Sequence, residues 1–207
     1  MTKDPRLKTL ILSIVFSAFG PIVTLIALFM NTSATQFADF VRRTAELSVL
    51  IFALYVYLKL SNNTHTKAQK NRFKITIYRL SGSILLFSAA ILSFLFIQAL
   101  ITPKVPEGNV ILGLSIASLG IFFNGYFFIR YRRFNNQDHH FVMDSQGKIY
   151  QAKTMVDVSV VIALSSILIF PNSEISYWID TLGTFVIALY LISRGFNLIF
   201  KAYKKNP

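Results

Sequence analysis

The sequence lacks cysteine altogether, has a single tryptophan, and carries few acidic residues. Without cysteine the chain can form no disulfide, no thiolate metal site and no cysteine nucleophile. Nine acidic residues against 21 lysines and arginines give a formal net charge of +12. A Ser/His/Asp arrangement, a glycine-rich phosphate loop and an HExxH pattern are also missing. We therefore do not expect an enzyme.

Apolar residues are abundant and occur in long runs. They make up 54% of the 207 residues, which is more than a soluble domain of this size needs. Six runs approach or exceed the roughly 20 residues that cross a bilayer, at about 8–30, 37–58, 80–102, 109–129, 154–171 and 175–200. The sequence thus predicts an all-α, polytopic membrane protein with one six-helix transmembrane domain over 1–207. We expect no soluble C-terminal domain, because only seven residues follow Phe200.

The basic residues are unevenly distributed between the two sides of this arrangement. Eighteen fall in the N-terminal segment, the polar stretches at about 59–79 and 130–153, and the tail, whereas the other three loops hold only Lys104. The positive-inside rule then places both termini in the cytoplasm. The positive charge is thus explained by membrane topology, and nucleic acid is not an expected partner. The expected partner is the lipid bilayer, with its anionic headgroups. No targeting extension is visible, which favours a multi-pass protein of a bacterial inner (plasma) membrane.

Charged residues also occur inside the apolar runs. Arg42 and Glu46 in the second run are four residues apart and share a helix face, as do Lys153 at the entrance of the fifth run and Asp157 inside it. An ionisable group within a membrane segment is costly, and it marks a functional site or a structural pair that faces other helices. For the two deeper carboxylates, Glu46 and Asp157, we favour a buried polar network with a functional role.

Other polar residues are interpreted as structural. Three lie within about two turns of the outer surface, where side chains can reach the interface: Asp39, Arg43 and Asp180. Asn124 in the fourth run is predicted to form an interhelical hydrogen bond. The His139-His140 pair is interpreted as a solvated loop pair rather than a metal site.

Four stretches, taken in chain order, resemble helices of the cation diffusion facilitator (cation efflux) family. They are TQFADFVRRTAELSVLIFALYVYLKLS for helix two, FNGYFFIRYRRF for the end of helix four, AKTMVDVSVVIALSSIL for helix five and WIDTLGTFVIALYLISRGFNLIF for helix six. The resemblance covers the whole chain as a transmembrane domain. It implies alternating-access exchange of a divalent cation such as Zn²⁺, Mn²⁺ or Fe²⁺ for protons, usually in a homodimer. We expect no resident cofactor.

The resemblance also implies a site. The family's metal lies between helices two and five, and its four ligand positions correspond here to Arg42, Glu46, Lys153 and Asp157. Glu46 and Asp157 are thus the expected metal ligands. The usual Asp, Asp, His and Asp would give a formal charge of about −3, whereas these four residues sum to zero. Because an arginine cannot release its proton to become a ligand, we predict two crossed ion pairs, Arg42 with Asp157 and Lys153 with Glu46.

Three functions stay open at this level. The first is a cation/proton exchanger with an altered site in which Glu46 and Asp157 titrate or bind the ion. The second is a family relative that has lost transport and acts as a structural or interaction membrane protein. The third is a pathway for a small anion or weak acid near Arg42, Arg43 and Lys153, which the adjacent carboxylates would oppose.

Overall fold

The chain folds into α-helices connected by short segments. The computed structural model describes residues 4–30, 34–61, 66–102, 110–170 and 173–203. These ranges contain no strand and six helices: α1 Pro5–Met30, α2 Ala34–Ser61, α3 Lys67–Ile101, α4 Val110–Asp138, α5 Phe141–Ile169 and α6 Glu174–Tyr203. All except α4 are long and apolar enough, over their described residues, to cross a membrane. The all-α class is confirmed, and for α4 the crossing stays a prediction.

The helices extend well beyond the apolar runs. The stretch 130–153 was predicted to be a polar loop, and this prediction is wrong, because only His139 and His140 separate α4 from α5. Likewise α3 begins at Lys67, inside the stretch 59–79 that was assigned to a loop. Hydropathy marks the part of a helix that lies in lipid, whereas lysine, arginine and glutamine continue the helix into water. Of the connection between α3 and α4, the structure describes only Thr102, the C-cap of α3.

Polar contacts define one end of the bundle, which we call the basal end. It is the end predicted to face the cytoplasm. The contacts there are an Arg6–Asp138 salt bridge, a Tyr57 hydroxyl donating to Asp4 (2.6 Å), and Asp144 accepting from both the Tyr78 hydroxyl (2.7 Å) and the Lys201 ammonium (2.7 Å). At the opposite, distal end the Tyr177 hydroxyl donates to the Ala99 carbonyl at 2.7 Å. The basal contacts involve all six helices or their first residues, so this end is tied together.

The connection between α4 and α5 is a capped helix start. His139 has a positive φ of 48°, and His140 caps α5 by accepting a hydrogen bond at Nδ1 from the Val142 amide, at 3.3 Å. Burial lowers the pKa of His140, and the charge of Arg6 lowers it further. The neutral imidazole is thereby favoured, and only that form has a ring nitrogen able to accept. His140 is therefore a partly buried part of the fold, so the prediction of a solvated loop pair is wrong for this residue, because it caps α5; His139 is exposed.

Close packing of α3 on α6 depends on two glycines. A Cβ atom at Gly82 would lie 2.7 Å from the Gly195 carbonyl oxygen and 2.7 Å from Ile199 Cγ1. Small residues allow helix backbones to approach in membranes, where packing replaces the hydrophobic effect as the driving force. On the other side of the bundle α4 packs along α5, and α5 also contacts α2, α3 and α6. This arrangement makes α5 the central helix.

The apolar side chains are divided between a core and an outer surface. Buried residues of the basal half form the main cluster, which includes Leu10, Val56, Tyr131, Val142 and Met143. Large apolar side chains cover much of the outside, and several are more than half exposed: Phe94, Phe122, Ile129, Val186 and Phe200. A surface with this much exposed apolar area is unfavourable in water, and it is the surface expected against lipid chains.

The first prediction concerns the α3–α6 contact. Gly82→Ala should lower the free energy of unfolding in detergent by about 1–3 kcal/mol, because the added methyl group forces the two backbones apart. The melting temperature of the protein should fall accordingly. Gly125→Ala is the matched control, since a Cβ there meets only Thr154 Cγ2 at 3.9 Å. That substitution should be neutral or stabilising, because alanine is the better helix former. Equal melting temperatures for the two variants would contradict the packing described.

Candidate functional site

A cavity of about 600 Å³ lies in the middle of the bundle, and α1, α2, α3, α4 and α5 contribute to its wall. Most of the wall is apolar, with Phe16, Leu92, Phe123 and Leu164 among the lining residues. The charged and amide side chains of the wall cluster on three helices: Arg42, Arg43 and Glu46 from α2, Asn124 from α4, and Lys153 and Asp157 from α5. The four positions carried over from the family resemblance therefore line one cavity.

Glu46 is the most enclosed charge of this group. Its side chain is only 8% exposed, and each carboxylate oxygen has a cationic partner. Arg42 Nη1 lies 3.1 Å from Oε1, one helical turn away on α2, and Lys153 Nζ lies 3.1 Å from Oε2 across the gap from α5. A buried carboxylate with two such partners is satisfied both electrostatically and by hydrogen bonding. The predicted pairing of Lys153 with Glu46 is confirmed.

Asp157 has a different partner from the one predicted. Its Oδ2 accepts a hydrogen bond from the Asn124 amide at 2.7 Å, so α4 rather than α2 supplies the contact. The predicted pair of Arg42 with Asp157 is replaced, because the guanidinium of Arg42 is turned along its own helix toward Glu46. The interhelical role predicted for Asn124 is confirmed. The described contacts of the two cavity carboxylates therefore differ, since Glu46 lies against two cations and Asp157 accepts a hydrogen bond from a neutral amide.

Two glycines make room for charged side chains at the cavity wall. A Cβ at Gly120 of α4 would lie 2.7 Å from Asp157 Oδ2, which is closer than real atoms come. A Cβ at Gly20 of α1 would lie 3.2 Å from an arginine nitrogen, Arg43 Nη1. The sequence reading did not identify Gly120 as part of the site. In the sequence, Gly120 is marked only by its spacing, because it lies four residues before Asn124 and so on the same face of the helix.

The formal charge of the cavity is positive. Three cations (Arg42, Arg43 and Lys153) face two carboxylates (Glu46 and Asp157), which leaves +1 among the described lining residues. Within the described ranges no group of three or more His, Cys, Asp or Glu side chains comes together that could hold a metal ion. A divalent cation cannot bind here unless the positive charge decreases or moves away, because like charges about 4 Å apart repel by about 4 kcal/mol at an effective dielectric constant of 20.

Two acidic residues predicted to be structural, Asp180 and Asp39, are not among the described residues of the cavity wall. Asp180 of α6 is partly buried. The side chain of Asp39 is outside the described part of the chain. Tyr150, which the sequence reading did not select, lines the cavity and has its ring 5.1 Å from Lys153 Nζ. Its position three residues before Lys153 places both on one face of α5.

Comparison with known families agrees with this geometry. The profile of the cation efflux transmembrane domain matches residues 10–205, nearly the whole chain. The chain belongs to the cation efflux family. No curated protein matches it significantly. As a cation efflux protein with several apolar helices, it is an integral, multi-pass membrane protein in a lipid bilayer, and its family is one of membrane cation transporters.

The second prediction concerns the charge pair across α2 and α5. Lys153→Met leaves the buried Glu46 with fewer neutralising contacts, and breaking a buried pair in this way typically costs about 3–5 kcal/mol. The double variant Lys153→Met/Glu46→Gln should be more stable than the sum of the single effects implies, by about 1–3 kcal/mol. Melting curves in detergent of the wild-type protein, the two single variants and the double variant complete this double-mutant cycle.

A control cycle pairs Lys153→Met with Asp180→Asn, which lies away from the cavity wall. The effects of these two substitutions should add. Additivity in the Glu46 cycle as well would mean that the Lys153–Glu46 contact contributes no coupling, contrary to the geometry.

Proposed function

We propose that this cation efflux protein exchanges a divalent cation for protons by alternating access, with the central cavity as its binding chamber. The observation that carries the proposal is the convergence of Arg42, Glu46, Lys153 and Asp157 on one cavity between α2 and α5. These are the positions to which the family resemblance assigns the cargo. Glu46 and Asp157 are the proposed oxygen ligands, and oxygen donors suit Mn²⁺, Fe²⁺ and Zn²⁺.

Lys153 is the proposed exchange partner of the cargo. Its ammonium occupies one oxygen of Glu46 at 3.1 Å, which is an oxygen that an incoming cation needs. An ammonium group on a flexible stem is able to move away from this oxygen. Displacement of Lys153 takes one positive charge away from the site as the cation binds, and return of the ammonium to Glu46 expels the cation. Arg42 stays as the fixed countercharge of Glu46.

We further propose that the cavity is open toward the distal end in this conformation. Its apolar lining continues from the charged residues toward that end through Val23, Leu95 and Leu164. The basal end is closed by its interhelical contacts. With the proposed orientation, the basal end faces the cytoplasm of a bacterial inner membrane and the chamber faces the outside. We also propose a homodimer, as the family resemblance implies.

A purely structural role for the charges is a weaker account. A network that serves only as interhelical glue is best enclosed by packing, because each exposed charge loses electrostatic strength. Here Lys153 and Asp157 instead border a cavity of about 600 Å³. The cavity leaves room for a solute beside these polar side chains, which favours transport over a role in assembly alone.

The third prediction tests transport directly. In liposomes with an internal pH reporter, an inward gradient of Zn²⁺, Mn²⁺, Fe²⁺, Co²⁺ or Ni²⁺ should drive proton movement for at least one ion. Glu46→Gln and Asp157→Asn should each abolish this flux, because each replaces a proposed carboxylate ligand by a neutral amide and removes its negative charge. Asp180→Asn is the control, and it should retain flux. Normal flux in both cavity variants, or no flux with any of these ions in folded wild-type protein, would overturn the proposal.

A further inference from the structure

The basal half of the bundle is sealed beneath the cavity by tyrosine hydroxyls. Tyr150 of α5 lies 2.8 Å from Ser17 Oγ and donates to the Ser13 carbonyl at 3.2 Å. Tyr131 of α4 lies 2.6 Å from Ser13 Oγ. Both tyrosines are at most 1% exposed. These contacts fasten α1 to α4 and α5 directly below the site, so they close the route from the cavity to the basal end.

A line of polar side chains follows one face of α5 through this seal. Gln146, Tyr150, Lys153 and Asp157 are spaced by four, three and four residues, which places them along a single helix face. The last three line the cavity. Gln146 is one turn further toward the basal end, beyond the Tyr150 hydroxyl.

Gln146 is unusual for a buried residue. It is wholly buried, and neither Oε1 nor Nε2 has a hydrogen-bond partner in the part of the chain that the structure describes. The preceding residue, Ser145, is equally buried but is paired with Ser81 at 2.6 Å. A buried amide without a partner is unfavourable, and leucine would fit such a position better if it served packing alone. The polarity of residue 146 therefore calls for another explanation.

We propose that the transport path continues along this face of α5 and that Gln146 is a cation-binding position on it, separated from the cavity by the Tyr150 barrier. This inference rests on the proposed function. When α1 moves away and Tyr150 releases Ser17, the amide oxygen of Gln146 becomes the next polar contact for the passing hydrated cation. An amide carbonyl is a suitable oxygen donor for such an ion, and its neutrality allows release.

The first experiment uses the absence of cysteine from the chain. A thiol is introduced by Gln146→Cys, and its reaction with a cationic, membrane-impermeant methanethiosulfonate reagent is timed. With Tyr150 present the thiol should be almost unreactive. Adding Tyr150→Phe, which removes the sealing hydroxyl, should raise the rate by about tenfold or more, since loss of a hydrogen bond changes an opening equilibrium by roughly this factor. Ser17→Ala is a milder alternative if Tyr150→Phe does not fold.

Ser145→Cys is the matched control, because this neighbour is equally buried but on another face of α5. Its thiol should stay unreactive in every background. A rate increase at position 146 alone supports the path. An increase at both positions, or at neither, overturns it, because the first indicates general loosening and the second indicates that Tyr150 does not separate Gln146 from the cavity.

The second experiment separates binding from passage. Gln146→Leu should bind the cation at the cavity with unchanged affinity, because Glu46 and Asp157 remain, but it should transport the cation about tenfold more slowly. Unchanged transport would contradict a binding role for Gln146. If the wild-type protein moves no cation, the proposed exchange function fails by itself, and the thiol experiment still decides whether the path is present.

Discussion

The carboxylate of Glu46 is the constraint on which the site depends. A charge buried among membrane helices must be neutralised, and two cations from different helices share this role at 3.1 Å each. Arg42 comes from the same helix, so its contact follows from the spacing of four residues. Lys153 comes from α5, so its contact fixes the position of α2 against the central helix. The interhelical pair therefore links the stability of the bundle to the state of the site.

The same pair determines what the cavity can bind. In the family resemblance, the positions of Arg42 and Lys153 carry ligands, whereas here they carry positive charge. Among the described contacts of Asp157 is a hydrogen bond from the neutral amide of Asn124, and Gly120 leaves its carboxylate space. In the proposed exchange, the cation binds between Asp157 and Glu46 and competes with Lys153 for the second carboxylate. Lys153 is therefore the group that has to yield.

The sequence predicted the membrane architecture and one of the two charge pairs. Hydropathy located the spans, because lipid selects apolar residues, but it could not locate helix ends in water, as residues 130–153 demonstrate. The Lys153–Glu46 pair was predictable, because the family resemblance places helices two and five against each other. The partner of Asp157 was not, because it depends on the rotation of α4. The same holds for the contact of Tyr150 with Ser17, which joins residues 133 apart in the chain.

The most direct test of the account is whether the cation and Lys153 compete for Glu46. Calorimetric titration of Zn²⁺ or Mn²⁺ into the purified protein measures the dissociation constant of the cation. We predict that Lys153→Met binds the cation about tenfold more tightly than the wild-type protein, because removal of the ammonium frees one oxygen of Glu46 and lowers the charge of the site by one. Equal affinities, or weaker binding by folded Lys153→Met protein, would contradict the central claim.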